Sequence, residues 1–255
     1  MIMRCFIFVI LIISNKGLFA QQTPGDTLIQ NALSLLGKPY KAGTLENERE
    51  EKLTIPTDAF DCYTFVERAL ALTMGAENLN QSTIFLRYRN SRINGFCSRL
   101  HYLSDWIHYH IANGMLTDIT PGLSGAKPHT FDLNFMSAHP HLYPAMLRDS
   151  CVDEIVKTEK KISGHTFYVL PKDGVNAVAN FIQHGDIIAI TTRKRGLDYS
   201  HVGFAYKKEG KLYLLHASTT GNKIQISSRT LYSYLMRNHQ QTGITVLRWT
   251  NKKLF

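Results

Sequence analysis

The chain has 255 residues, 44% hydrophobic and 19% charged, with a formal net charge of +9 from 29 Lys and Arg against 20 Asp and Glu. That balance fits a globular chain with a sizeable core rather than a disordered one. The basic excess suits an anionic partner such as a cell wall, a membrane surface or nucleic acid, but no long Lys/Arg block and no nucleic-acid signature is present.

The opening "MIMRCFIFVILIISNKGLFAQQ" places Arg4 before an apolar run from Cys5 to Ile13, with Ala20 as a cleavage site. This is the layout of a secretory signal peptide over residues 1–20, and the run is too short for a permanent membrane anchor. Loss of Arg4 and Lys16 with the leader leaves a net charge of about +7. No later stretch is apolar for long enough to cross a bilayer. The remainder, residues 21–255, is long enough for one large domain or one domain with an insertion.

Removal of Cys5 leaves Cys62, Cys97 and Cys151. An odd count in an exported chain leaves at least one thiol without an internal partner. Either Cys97 pairs with Cys151 and Cys62 is free, or all three stay reduced and buried.

Along the chain, Thr27 to Leu36 reads as a helix stopped by "GKPY". The polar stretch "KAGTLENEREEKLTIPTDAF" reads as a loop with one short hairpin. From Cys62, the apolar positions Phe65, Val66, Ala69 and Leu70 follow helical spacing, with Asp61 as N-cap and Gly75 as stop. Further helical patterns run over 82–89 and 104–113, and Pro121 to Tyr143 looks irregular. The C-terminal part holds "HTFYVLP", "GDIIAITT", "HVGFAYKKEGKLYLLHAS", "NKIQIS" and "GITVLRW", short β-rich runs broken by turn residues. "KKEGK" reads as a hairpin connection. Helices first and an antiparallel sheet after predict an α+β fold.

One constellation in this pattern can do chemistry. A cysteine in the first turn of a helix meets free N–H groups that favour a negative sulfur. A nearby histidine would serve as its proton partner, and a third polar group would fix that imidazole. His201 opens one strand and His216 ends the next, so a hairpin through "KKEG" brings them to the same end. Cys62, His201 and His216 are therefore the candidate catalytic set. The "HYH" and "HPH" clusters match neither HExxH nor a Cys-x-x-Cys pattern, and no glycine-rich loop cradles a phosphate, so neither metal nor cofactor is expected.

The blocks "FDCYTFV", "SHVGFAY" and "LLHAS" resemble the three signature blocks of the NlpC-like cysteine peptidases, papain-like cell-wall hydrolases. The resemblance implies Cys62 as nucleophile, His201 as base and His216 as the orienting residue. "LLGKPYKAG" resembles the segment that supplies a tyrosine near the oxyanion, which would be Tyr40. "SRLHYLSDWI", "NFMSAHPHLYPAML" and "GLDYSHVGFAY" resemble the exported N-acetylmuramoyl-L-alanine amidase-like branch, which carries a helical insertion, here at about 80–165. The fold implied is papain-like, with N-terminal helices packed on a C-terminal antiparallel sheet in a single cysteine amidase domain.

The activity implied is cleavage of an amide in peptidoglycan or muropeptide, between N-acetylmuramic acid and L-alanine, by a monomer exported to the bacterial periplasm. The rivals are an endopeptidase cutting within the stem peptide and a non-catalytic peptidoglycan-binding protein. Arg99, His101, Asp105 and Trp106 are the substrate-binding candidates. A helix over 101–111 would put His101, Asp105 and His108 on one face. The alternative for this block is a capped helix whose Trp belongs to the core.

Overall fold

The computed structural model describes residues 23–46 and 50–251, so the leader expected over residues 1–20 lies outside the described part. Helix α1 (Pro24–Leu33) starts at Thr23, whose side chain and that of Asp26 cap each other's backbone. Helix α2 (Cys62–Met74) starts the same way: Asp61 accepts from the Thr64 N–H, and the Thr64 hydroxyl accepts from the Asp61 N–H.

Then follow α3 (Leu79–Arg87), α4 (Leu103–Ala112), β1 (Leu116–Asp118), β2 (Lys127–His129), α5 (Phe135–Ala138), α6 (Pro144–Arg148) and α7 (Val152–Ser163). The chain continues through β3 (Phe167–Pro171), α8 (Val175–Val178), β4 (Ile187–Thr192), β5 (Tyr199–Lys208), β6 (Lys211–Ser218), β7 (Lys223–Thr230), α9 (Leu231–Met236) and β8 (Gln241–Trp249).

The strands form one sheet in the order β2-β3-β8-β4-β5-β6-β7, with β1 added on β8. Every pair is antiparallel. The α+β expectation stands, with an antiparallel sheet whose main strands follow most of the helices, although β1 and β2 precede α5, and α8 and α9 lie among the later strands.

Three local expectations change. The 41–60 loop holds no hairpin among its described residues; its two ends are laced together instead. Lys41 N–H donates to Phe60 O, Phe60 N–H donates to Pro39 O, and Tyr40 bridges Phe60. The stretch from Pro121 to Tyr143 contains β2 and α5. The third change is α7, which has no counterpart among the sequence-predicted helices; it buries Ile155, Glu159 and Ile162 at helical spacing.

The sheet is covered on both faces, because side chains alternate along each strand. Val202, Phe204, Leu215 and Ala217 join the core beneath α1 and α2. Ala205, Leu214, Ile188 and Ile190 join the opposite core with Leu231 and Leu235 of α9. Phe65 of α2 sets its ring edge-on to Phe204 at 5.5 Å. Fully burying such a side chain contributes about 1.5–3 kcal/mol.

The helical segment between α2 and β3 is tied down by polar anchors. Arg87 of α3 pairs with the buried Glu67 of α2 and donates to Thr54 O at 2.7 Å. Asp198 is 2% exposed and accepts from Ser104 N–H at the start of α4 (2.6 Å) and from Tyr199 N–H (2.6 Å). Cys97 and Cys151 form a disulfide across 54 residues, which resolves the pairing left open by counting, and Cys62 is the free cysteine among the described residues. Among those residues no helix is long and apolar enough to cross a membrane.

Reducing the Cys97–Cys151 bridge is expected to lower stability by about 2–4 kcal/mol. A urea unfolding midpoint that is the same with and without reductant would contradict the cross-link.

Candidate active site

The capping of α2 leaves two amides over. Thr64 N–H goes to Asp61, and Phe65 N–H goes to the Asp61 carbonyl. The N–H groups of Cys62 and Tyr63 lie instead within hydrogen-bonding reach of the Cys62 sulfur. A third donor comes from the sheet. Ala205 N–H bonds to Asp186 O, so in the antiparallel alternation Val202 N–H points away from β4 and toward β6. The β5–β6 register ends at Phe204 opposite Leu215, which releases Val202 N–H from the ladder. It turns to the sulfur of Cys62. The thiol thus rests where two strands part, beside the residue that follows His201.

His201 of β5 and His216 of β6 stand side by side where these two strands part. His201 Nε2 lies 2.6 Å from His216 Nδ1, with the rings nearly perpendicular. His216 is 1% exposed, and its Nε2 has no hydrogen bond among the described residues. Gly203 makes this pairing possible: a Cβ there would lie 2.7 Å from Leu215 O and 3.0 Å from His216 Cβ. A glycine inside a strand signals such close approach, so "HVGF" carried a readable cue. Tyr234 of α9, which no pattern flagged, sets its ring 5.3 Å from His216 and 6.5 Å from His201.

Burial governs the electrostatics. It pushes the Cys62 thiol up to about 12, with the Asp61 charge adding to the rise and the three N–H groups opposing it. Burial lowers His201 to about 4. It lowers His216 to about 3, with the charge on His201 as a smaller second cause. The helix start therefore does not ionise the thiol at neutral pH; sulfur and imidazole rest neutral. Tyr40 is brought into the electrostatic neighbourhood of Cys62, and burial raises its hydroxyl above the ordinary phenol value.

A cavity of about 180 Å³ opens beside Asp61, lined by Glu46, Tyr63, Arg99 and His101 among others. Of the four substrate-binding candidates, Arg99 and His101 reach it and Asp105 and Trp106 do not. Arg99 is already engaged: Nε and Nη2 bind Glu51, Nη1 binds Glu46 at 3.1 Å, and Nη2 also donates to Leu45 O. It ties Leu45, Glu46 and Glu51 together as a wall.

α4 begins at Leu103, so His101 lies off the helix; its ring packs on Phe96 at 4.2 Å and its Nε2 meets Phe96 O. Asp105 is buried against Arg89. Trp106 is 1% exposed and donates to Leu86 O, which is the core alternative. His108 stacks on His165. Among the described residues no three His, Cys, Asp or Glu side chains converge as a metal site.

A family model described as AmiA-like, N-acetylmuramoyl-L-alanine amidase-like, matches residues 30–244. A structure named N-acetylmuramoyl-L-alanine amidase from Bacteroides uniformis is 38% identical, with a TM-score of 0.84 over 89% of this chain and 99% of that one. A Bacteroides fragilis structure with a provisional xylanase name is 40% identical, with a TM-score of 0.80 over 86% and 99%. A Legionella pneumophila structure shares the fold at 21% identity, with a TM-score of 0.69 over 89% of each chain. No curated protein matches.

Burial also holds His101 at about 3 and His110 at about 4, so with His201 and His216 four imidazoles are neutral in the folded state. The unfolded chain titrates them near 6.5, so it binds protons that the folded chain refuses. Stability from this source is complete above about pH 6.5 and drains away as pH falls toward 4. Thermal midpoints should fall across that window, and the slope should shrink in His201→Gln/His216→Gln.

Proposed function

The chain belongs to the AmiA-like, N-acetylmuramoyl-L-alanine amidase-like family, and on that footing we propose that it is an exported cysteine amidase cutting between N-acetylmuramic acid and L-alanine in peptidoglycan fragments. The observation that carries this reading is the free thiol of Cys62 meeting the Val202 amide one residue from a bonded His201–His216 pair. A cysteine at a helix start beside a strand that bears a histidine supports the NlpC-like, papain-like reading. The leader-like residues 1–20 and the Cys97–Cys151 bridge support export to an oxidising compartment such as the periplasm.

His201 gives its Nε2–H to His216, which leaves Nδ1 as the base. His216 stays neutral because burial and its charged neighbour both resist a second proton. It therefore remains an acceptor and steadies the imidazolium that forms on His201. The reaction runs from a neutral pair: Nδ1 takes the thiol proton as the sulfur attacks the amide carbonyl. The N–H groups of Cys62 and Tyr63, with the Tyr40 hydroxyl, stabilise the oxyanion. The C–N bond breaks as His201 returns its proton to the leaving amine. A water, deprotonated by the same Nδ1, then hydrolyses the thioester and frees the thiol.

A xylanase reading would need two free carboxyl groups flanking a glycosidic bond. The carboxylates near the groove are committed: Glu46 and Glu51 to Arg99, and Asp61 to the α2 cap.

Muropeptides treated with the protein should release free sugar and intact stem peptide, resolved by mass spectrometry. Shortened stem peptides would mean an endopeptidase, and an absence of products would mean a binding protein. Cys62→Ala should abolish turnover with stability within about 1 kcal/mol of wild type. The kcat/KM profile should show an acid limb near the His201 value of about 4, below the ordinary imidazole value, and stay level through about pH 9. Gly203→Ala, by displacing His216, should lower kcat roughly 10–100-fold while the chain still folds.

A further inference from the structure

A second cavity, of about 630 Å³, opens beside His216. His216, Ser218 and Gln225 form its floor, Tyr234 its inner wall, and Arg229 and Arg237 stand exposed at its mouth. His216 and Gln225 are cross-strand partners in the β6–β7 ladder, so they share a face. The inner end is one ring away from the base, since His216 bonds His201 and Tyr234 touches both.

Its charge is one-sided. The lining holds two arginines and a second imidazole, that of His239, and no Asp or Glu. Neither guanidinium has an ion-pair partner among the described residues. The cavity beside Asp61 is the opposite case, with Glu46 and Asp61 in its wall and both its arginines, Arg87 and Arg99, already bonded. A carboxylate is therefore drawn to the cavity with the unpaired arginines rather than to the one beside Asp61.

The direction of the reaction makes the same distinction. The leaving amine takes its proton from His201, so the departing half of the substrate lies on the imidazole side of the sulfur. The acyl half stays on Cys62, toward the α2 cap. In an amidase of the proposed kind the departing half is a peptide, which carries at least its terminal carboxylate.

We propose that the cavity bounded by His216, Tyr234, Arg229 and Arg237 seats the departing peptide, and that the two arginines hold a carboxylate on it. This rests on the amidase reading and adds the site that selects the peptide half; the sugar half is left to the cavity beside Asp61.

The test uses Cys62→Ala protein, which retains the cavities without turnover. Calorimetry at low salt measures binding of a stem peptide beginning with L-alanine and bearing free carboxylates. A second titration uses the same peptide with its carboxylates amidated. Adding Arg229→Gln/Arg237→Gln should weaken the acid peptide about 5–10-fold, and amidation should weaken binding similarly. The two losses should not add when combined, because they remove the same contact. Equal binding of the acid peptide with and without the arginines, or fully additive losses, would overturn the assignment. Wild-type protein that releases stem peptide from muropeptides alongside such a result sinks the cavity alone; wild-type protein that releases none sinks the amidase reading and the cavity with it.

Discussion

Phe65 set edge-on against Phe204 fixes how far the start of α2 reaches into the sheet. Everything at the site follows from that depth. A shallower helix would leave the Cys62 sulfur in solvent, out of reach of Val202 N–H. A deeper one would force β5 and β6 apart before Phe204, where their ladder still holds. The apolar stripe of α2 thus acts as the depth stop for a polar group it does not touch.

Depth also sets the chemistry. A helix start and a nearby imidazole are expected to ionise a cysteine, yet the desolvation of a half-enclosed thiol outweighs the helix dipole and its amides. The result is a resting site with no net charge on sulfur or imidazole. In the proposed mechanism charge appears only during attack, with the N–H groups and His216 already in place to receive it.

Much of this was legible in the residues. The alternation in "HVGFAY" and "KLYLLHAS" gave the hairpin, and the fifteen-residue spacing gave the meeting of His201 and His216. The order of helices and strands gave the fold class. What sequence periodicity cannot carry is where a side chain's partners come from. Trp106 and Asp105 looked like groove residues because their types bind ligands, but Leu86 O and Arg89 claim them. Arg99 looked free because Glu46 and Glu51 lie 53 and 48 positions away. The long loop after Tyr40 gave no sign that Phe60 returns beside it. α7 does carry a pattern: Ile155, Glu159 and Ile162 recur at helical spacing, with acidic residues in the first turn and basic ones in the last. Tyr234 lies on a helix of six residues, too short to print a period.

Asp198 has a mechanical meaning. The same carboxylate grips the first turn of α4 and the backbone at Tyr199, and His201 follows shortly along the strand. The helical arm and the strand bearing the imidazole are yoked. Bending one without the other would strip a buried carboxylate of its donors, a costly separation. The arm and the strand that bears His201 are therefore held to each other through one buried side chain.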